Sequence, residues 1–306
     1  MFHKDSYQLH GNWYNQHFPT EASKVGFYRK LKPGDEKILS NWLQQIFFDC
    51  LLPVLHSRAS WLTIGDAYGF DAQYIISEGC TAMATDLNSD FLAIAKLEGI
   101  VADYKAENAE QLSFSDDQFD YVLCKESYHH FPRPYAALYE MIRVAKQAIV
   151  VIEPQDPVSK MPLLLALMNL LSFSNKRLHT IWKNRFSFEP VGNYIYKVSE
   201  REFEKFAAGL NLPMVAFKQV NPNFYFKGAE SIAVKSKKGK LIQMKKWLLD
   251  QMVRFKIIPG QVLSAIVFKQ MPDQGMQSRL KKSGYRLVVI PQNPYLANIR
   301  PISNSH

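Results

Sequence analysis

His129 and His130 stand side by side just past Phe119-Asp120-Tyr121-Val122-Leu123-Cys124, a run apolar enough to be a buried strand. An imidazole titrates near pH ~6.5, so either ring could take a proton from an acceptor hydroxyl at physiological pH. The plainer use of either ring is to pack under a sheet edge or to bond a backbone carbonyl. Lys125 and Glu126 compete for the same role, or pair with each other. Cys124 reads as filler at a strand end, where a buried thiol is inert. A second group lies upstream in Gly65-Asp66-Ala67-Tyr68-Gly69. Its alternating small residues let the backbone turn sharply and approach a ligand. Asp86 follows about 20 residues later, where a carboxylate can accept both hydroxyls of a ribose. It could equally cap the helix that follows.

The elements that must position these groups alternate. A short buried strand is expected at Trp61 to Ile64, and further strands at Thr81 to Thr85, Asp103 to Ala106, Phe119 to Cys124 and Ala148 to Ile152. Helices are expected between them: Asp71 to Glu78, one capped near Asn88 to Asp90, and one carrying Leu138, Met141, Ile142 and Ala145. Such alternation implies βαβ units, a mainly parallel sheet, and ligand chemistry at the carboxyl ends of the strands. Before this core, residues 1–34 are rich in rings without a clear period, and a helix capped by Asp35 runs through Ile38 to Phe47. After it, helices are expected over Met161 to Phe173, Glu200 to Leu210 behind Ser199, Lys240 to Phe255 and Gln277 to Lys282. Strand candidates are Val215 to Val220, Ser264 to Lys269 and Arg286 to Ile290.

Several segments together resemble the class I S-adenosylmethionine (SAM)-dependent methyltransferases, specifically the type 11 methyltransferase domain. The alternate small residues 65, 67 and 69 fit that family's G-x-G-x-G loop, whereas a dinucleotide loop would want glycine where Phe70 stands. Glu107-Asn108-Ala109-Glu110-Gln111-Leu112-Ser113-Phe114 is similar to its D-A-E-x-L-P-F segment. Phe119 to Val122 with His129-His130 is similar to its F-D-x-V strand and H-H loop, and Glu153-Pro154 to the end of its fifth strand. The resemblance covers about residues 58–154. It implies an α/β Rossmann-like fold with a mainly parallel seven-stranded sheet flanked by helices, and SAM as cofactor. Carried over residue by residue, it implies a cofactor site of Gly65, Asp66, Ala67, Gly69, Asp86, Leu87, Asn108, Ala109, Lys125 and Tyr14. Asn108 would meet the adenine, and Tyr14 the sulfonium by a cation–π contact. His129 or His130 would be the base. The family usually carries an acid where this chain has Thr63, and Asp66 is near enough in sequence to take its part.

On this reading residues 1–57 form an N-terminal cap and first helix, 58–154 the cofactor core, and 155–306 an acceptor-site insertion, remaining strands and an extension. The acceptor is expected to be a small molecule, a metabolite or a saccharide or lipid precursor. The apolar helix from Met161 and the run Phe224-Tyr225-Phe226 would line its pocket. The net charge of +9 keeps an RNA acceptor as an alternative. Against it, Cys124-Lys125-Glu126-Ser127 occupies the place of the Asn/Asp-Pro-Pro-Tyr/Phe segment of amino-methylating enzymes, and Asn293-Pro294-Tyr295 comes too late. A non-catalytic SAM-binding protein is the other alternative. Lysines 235 to 246 read as a solvated helix face or as a phosphate- or lipid-facing patch, so peripheral membrane contact stays open. The longest apolar stretch would span about 20 Å as a helix, too short for a bilayer. Residues 1–15 lack the apolar run of a signal peptide, and three separated cysteines form no metal-ligand pattern. A cytoplasmic, metal-free protein is expected.

Overall fold

The computed structural model describes residues 2–31, 38–56, 58–157, 160–171, 186–189, 193–222 and 226–295. Its sheet starts from β1 (Ser60–Ile64), which lies between β2 (Thr81–Asp86) and β4 (Phe119–Lys125), parallel to both. β3 (Asp103–Ala106) adds outside β2, and β5 (Ala145–Pro154) adds parallel to β4. Trp61 to Ile64 and Ala148 to Ile152 are buried throughout, as strands covered on both faces must be. The crossovers are α4 (Phe70–Ser77), α5 (Asp90–Leu97) and α6 (Pro134–Val144).

The second half of the chain completes the same sheet. β7 (Val262–Phe268) runs antiparallel between β5 and β6 (Met214–Val220), and β8 (Arg286–Val289) pairs antiparallel with β6. The order is β3-β2-β1-β4-β5-β7-β6-β8, eight strands and mixed rather than seven. The extra strand is short and half exposed, a blunt cover for the edge that β6 would otherwise present. Strand pleat divides the core in two. Leu62, Val122, Ile149 and Val151 face α6 and α8 (Glu200–Gly209). Trp61, Tyr121, Val150 and Ile152 face α10 (Gln274–Lys282) and the turn after α3 (Leu39–Phe48). Ser199 caps α8 in a full capping box with Glu202.

Residues without apparent period form two helices, α1 (Phe2–His17) and α2 (Glu21–Leu31). The inward stripe of α1 is Tyr7, His10 and Tyr14 at helical spacing, polar-tipped rings that an apolar count passes over. Tyr14 and Tyr28 are buried with Phe91 of α5, Phe18, Phe27 and Tyr68. Tyr28 also donates to the Tyr68 carbonyl at 3.0 Å, so the two helices lie against the loop that follows β1. The helix expected from Met161 to Phe173 spans Pro162–Leu170 and is α7; Phe173, Asp35, Phe224 and Tyr225 fall outside the described residues. The basic helix, α9, covers Lys237–Arg254.

Candidate active site

Strand order reverses between β1 and β4, and the chain from each carboxyl end leaves in opposite directions, opening a crevice there. On one side is the 65–69 loop. Gly65 has φ +69°, and a Cβ on it would sit 2.4 Å from both Cβ and Oγ of Ser127. Only glycine allows the two loops to close up this way. Gly69, at φ +74°, starts α4. Between them Asp66 is buried; its carboxylate accepts the Thr63 hydroxyl at 2.9 Å and the Ala72 N–H at 2.9 Å. Thr63 thus holds a carboxylate supplied three residues later. Burial, reinforced by Asp71, pushes the Asp66 carboxyl up to about 7.

Asp86 ends β2. One oxygen accepts the Asn88 N–H at 2.9 Å, an Asx turn that leads into α5. The Leu87 N–H also bonds this carboxylate. Burial raises this carboxyl to about 6, with Asn88 and the nearby His130 holding it from going further. Leu87 beside it is exposed at 40%. A half-buried carboxylate at the end of this strand fits a ribose diol, and Tyr14, whose phenol burial and Asp86 push upward, lies close to it.

The third-strand segment is mainly a brace. Asn108 Oδ1 accepts the Glu110 N–H at 2.9 Å, with Ala109 buried inside that turn. Buried Glu110 accepts the Arg133 N–H and Nε–H, each at 2.6 Å, and the Tyr7 hydroxyl. The segment therefore ties α1 to the chain beyond β4.

Lys125 points its ammonium at Asp71, 3.1 Å away, over the rings of Phe47 and Phe48. Burial works against its charge, but Asp71, Glu126 and Asp66 keep the proton on more firmly than in an ordinary lysine. It joins β4 to α4 and α3. Glu126 takes a left-handed backbone, φ +52°, which for a residue with a Cβ stores strain beside the crevice. Burial and Glu153 push the Cys124 thiol far up, so it is no nucleophile.

The two histidines part company. Glu153, completely buried at the end of β5, accepts the N–H groups of Ser127 and Tyr128, each at 2.7 Å, and meets His129 Nδ1 at 2.5 Å. Burial would lower the His129 pKa, but the hydrogen bond and charge of Glu153, helped by Glu189 and Glu126, raise it above the usual histidine value. His130 meets Glu189 through Nδ1 at 2.6 Å, and its carbonyl accepts from Asn193 at 2.7 Å. The rings stand 4.0 Å apart. His129, His130 and Glu189 each bring one ligand-type atom within 4.8 Å of the others, a set the sequence did not suggest because Glu189 lies far along the chain. Glu153 was also missed as a working residue. Its signal was a carboxylate ending an otherwise apolar buried strand.

Residues 62–152 match a family model described as a methyltransferase domain. A ubiquinone biosynthesis O-methyltransferase of Klebsiella pneumoniae is 31% identical over 90 residues, which cover 28% of this chain and 37% of that protein. The chain therefore spans just over a third of the curated relative it matches. Among solved structures, a SAM-dependent methyltransferase from Archaeoglobus fulgidus is similar at TM-score 0.47 and 16% identity, covering 77% of this chain and 95% of that one. So is a 1,6-didemethyltoxoflavin-N1-methyltransferase of Burkholderia thailandensis, at TM-score 0.46 and 13% identity, covering 77% and 80%.

Proposed function

We propose that this chain is a SAM-dependent methyltransferase acting on a small molecule, at oxygen or carbon, with His129 as the general base. The observation that carries the reading is the Glu153–His129 pair, at the strand-order reversal on the same edge as Asp86 and the Gly65–Gly69 loop. In this reading Asp86 holds the ribose, the 65–69 backbone and Asp66 face the amino-acid tail, and Asn108, Ala109 and Leu87 border the adenine. Tyr14 covers the sulfonium, and Lys125 fixes the wall behind it.

Bound SAM supplies a methyl group already activated on a sulfonium. The protein's part is alignment, worth about 7–11 kcal/mol when reacting groups are held in place, and removal of the acceptor proton. Glu153 accepts from His129 Nδ1–H, which leaves Nε2 bare to take that proton. The same carboxylate then stabilises the imidazolium. His130, anchored by Glu189, orients the acceptor. A cytoplasmic setting agrees with three cysteines that are all free and buried. No helix among the described residues is long and apolar enough to cross a membrane.

The test is label transfer from methyl-labelled SAM into a fractionated small-molecule extract. Labelled product that disappears in His129→Ala, with SAM still bound, supports the proposal. Label in RNA or protein instead would overturn the small-molecule acceptor, and binding without any transfer would overturn the enzymatic reading. A second reading comes from the 4.8 Å cluster of His129, His130 and Glu189, which could hold a divalent cation that polarises an acceptor oxygen. Loss of activity on chelation, restored by zinc or magnesium, would favour it over the metal-free base.

A further inference from the structure

α9 turns an unusual face to solvent. Leu241, Met244 and Leu248 recur at helical spacing and are 59%, 54% and 49% exposed, with Trp247 beside them at 58%. With about 3.6 residues per turn, these side chains make one stripe. Exposed Lys240 and Arg254 border it on the Trp247 side, and exposed Lys238 and Lys245 on the other. From Lys235 to Lys256 there are eight lysines and arginines against a single acid, Asp250. Asp250 is turned away from the stripe, accepting from Asn221 at 2.8 Å and Lys246 at 2.6 Å. The opposite face of the helix is packed: Ile242 and Leu249 sit against Leu39, Leu43 and Trp42 of α3. The helix is thus firmly seated, and its outward face is deliberate composition rather than a frayed end.

We infer that α9 docks this protein on an anionic lipid bilayer, the Leu241–Met244–Leu248 stripe entering the headgroup boundary and the flanking lysines meeting lipid phosphates. The pattern answers both halves of such a surface, an apolar layer under a negative one, with a tryptophan at the margin. A nucleic acid would reward the lysines and leave the apolar stripe in water, so it explains half the face. Place matters as well. Asn221, which anchors Asp250, follows β6, and its side chain accepts from the N–H of Gln261 just before β7 at 3.2 Å. Since β6 runs parallel to β5, that junction lies on the edge of the sheet that carries Glu153, His129 and Asp86. α7 leaves the same edge after β5 with Leu163 86% and Leu170 70% exposed. The docked protein therefore turns its crevice edge toward the bilayer. Resting on the proposed methyl transfer, this favours an acceptor with a lipid-soluble part.

The experiment is vesicle flotation of the whole chain with phosphatidylcholine alone and with roughly one-third phosphatidylglycerol, alongside thermal unfolding as a folding control. Binding to the anionic vesicles alone is expected, with a blue shift of tryptophan emission that Trp247→Phe removes. Met244→Glu/Leu248→Glu and, separately, Lys238→Gln/Lys240→Gln/Lys245→Gln should each weaken binding at least about tenfold with unchanged unfolding. Absence of binding by folded protein at low salt, or binding indifferent to Met244→Glu/Leu248→Glu, overturns the inference. So does poly-uridylate binding that competes with vesicles and survives Met244→Glu/Leu248→Glu, which would make the face a polyanion surface. None of these readouts depends on SAM turnover, so failure here leaves the methyltransferase reading standing.

Discussion

Replacing Glu153 by Gln separates the role of its charge from that of its shape. The carboxylate accepts two backbone N–H groups at 2.7 Å and meets His129 Nδ1 at 2.5 Å with no exposed surface. A glutamine carbonyl can still accept from Ser127 and Tyr128, but its amide group turned to His129 is a donor. That would push the imidazole proton to Nε2 and remove the free lone pair. The charge-assisted bond so lost is worth about 1.5–3 kcal/mol. Because His129 has a folded-state pKa above its unfolded value, its pairing stabilises fully below about pH 6.5 and fades as pH rises through the folded value. Urea unfolding of wild type and Glu153→Gln should differ by that amount near pH ~6 and converge at higher pH. Nitrogen-15 NMR of the ring should show His129 titrating lower in the variant, with its neutral tautomer switched. Turnover of an identified acceptor should fall by roughly 10²–10⁴ with SAM affinity retained. An unchanged His129 titration midpoint, or a stability difference flat with pH, would refute the reasoning.

Gly65→Ala forces a side chain into a left-handed residue and against Ser127; the conformation costs about 1–2 kcal/mol and the clash about 1–3 more, measurable by denaturant unfolding. Ser127→Gly in the same chain should recover the steric part alone. SAM affinity should fall as pH drops through about 6, where Asp86 takes up its proton, and Asp86→Asn should flatten that profile in calorimetric titrations. Ser199→Ala should cost about 1 kcal/mol through loss of the capping box, with no effect on cofactor binding.

The parallel half of the sheet was legible because most strands there are short, mainly apolar runs, β1 closed by Gly65, β2 by Asp86 and β5 by Glu153-Pro154; the polar edge strand β3 was marked by its place in the alternation instead. Strand edges were harder: β5 begins at Ala145, inside the segment that reads as helix, because α6 passes into it without a loop. β8 was found as an element, but not its addition to the count, since edge pairing leaves no mark on a four-residue strand. α1 hid because its inward face is Ser6, Tyr7, His10 and Tyr14 rather than aliphatic residues, and α2 because its inward residues, Val25, Phe27 and Tyr28, are too few to set a period. In the crevice, the 65–69 loop, Asp86 and the histidine pair were visible as local motifs. What joins them was not: Glu153 to His129, Glu189 to His130 and Glu110 to Arg133 are long-range contacts between charged residues of ordinary appearance. Lys125 shows the same limit, since only folding reveals that Asp71 and two phenylalanines claim it.

The central claim is that the crevice beside Asp86 holds SAM. Calorimetric titration with SAM and S-adenosylhomocysteine, with NAD as control, tests it without knowing the acceptor. The account predicts micromolar binding of SAM or its product, none of NAD, and a loss of about 1.5–3 kcal/mol, roughly 10- to 150-fold, in Asp86→Ala. Folded protein that binds neither compound, or that binds them equally well in Asp86→Ala, would contradict it.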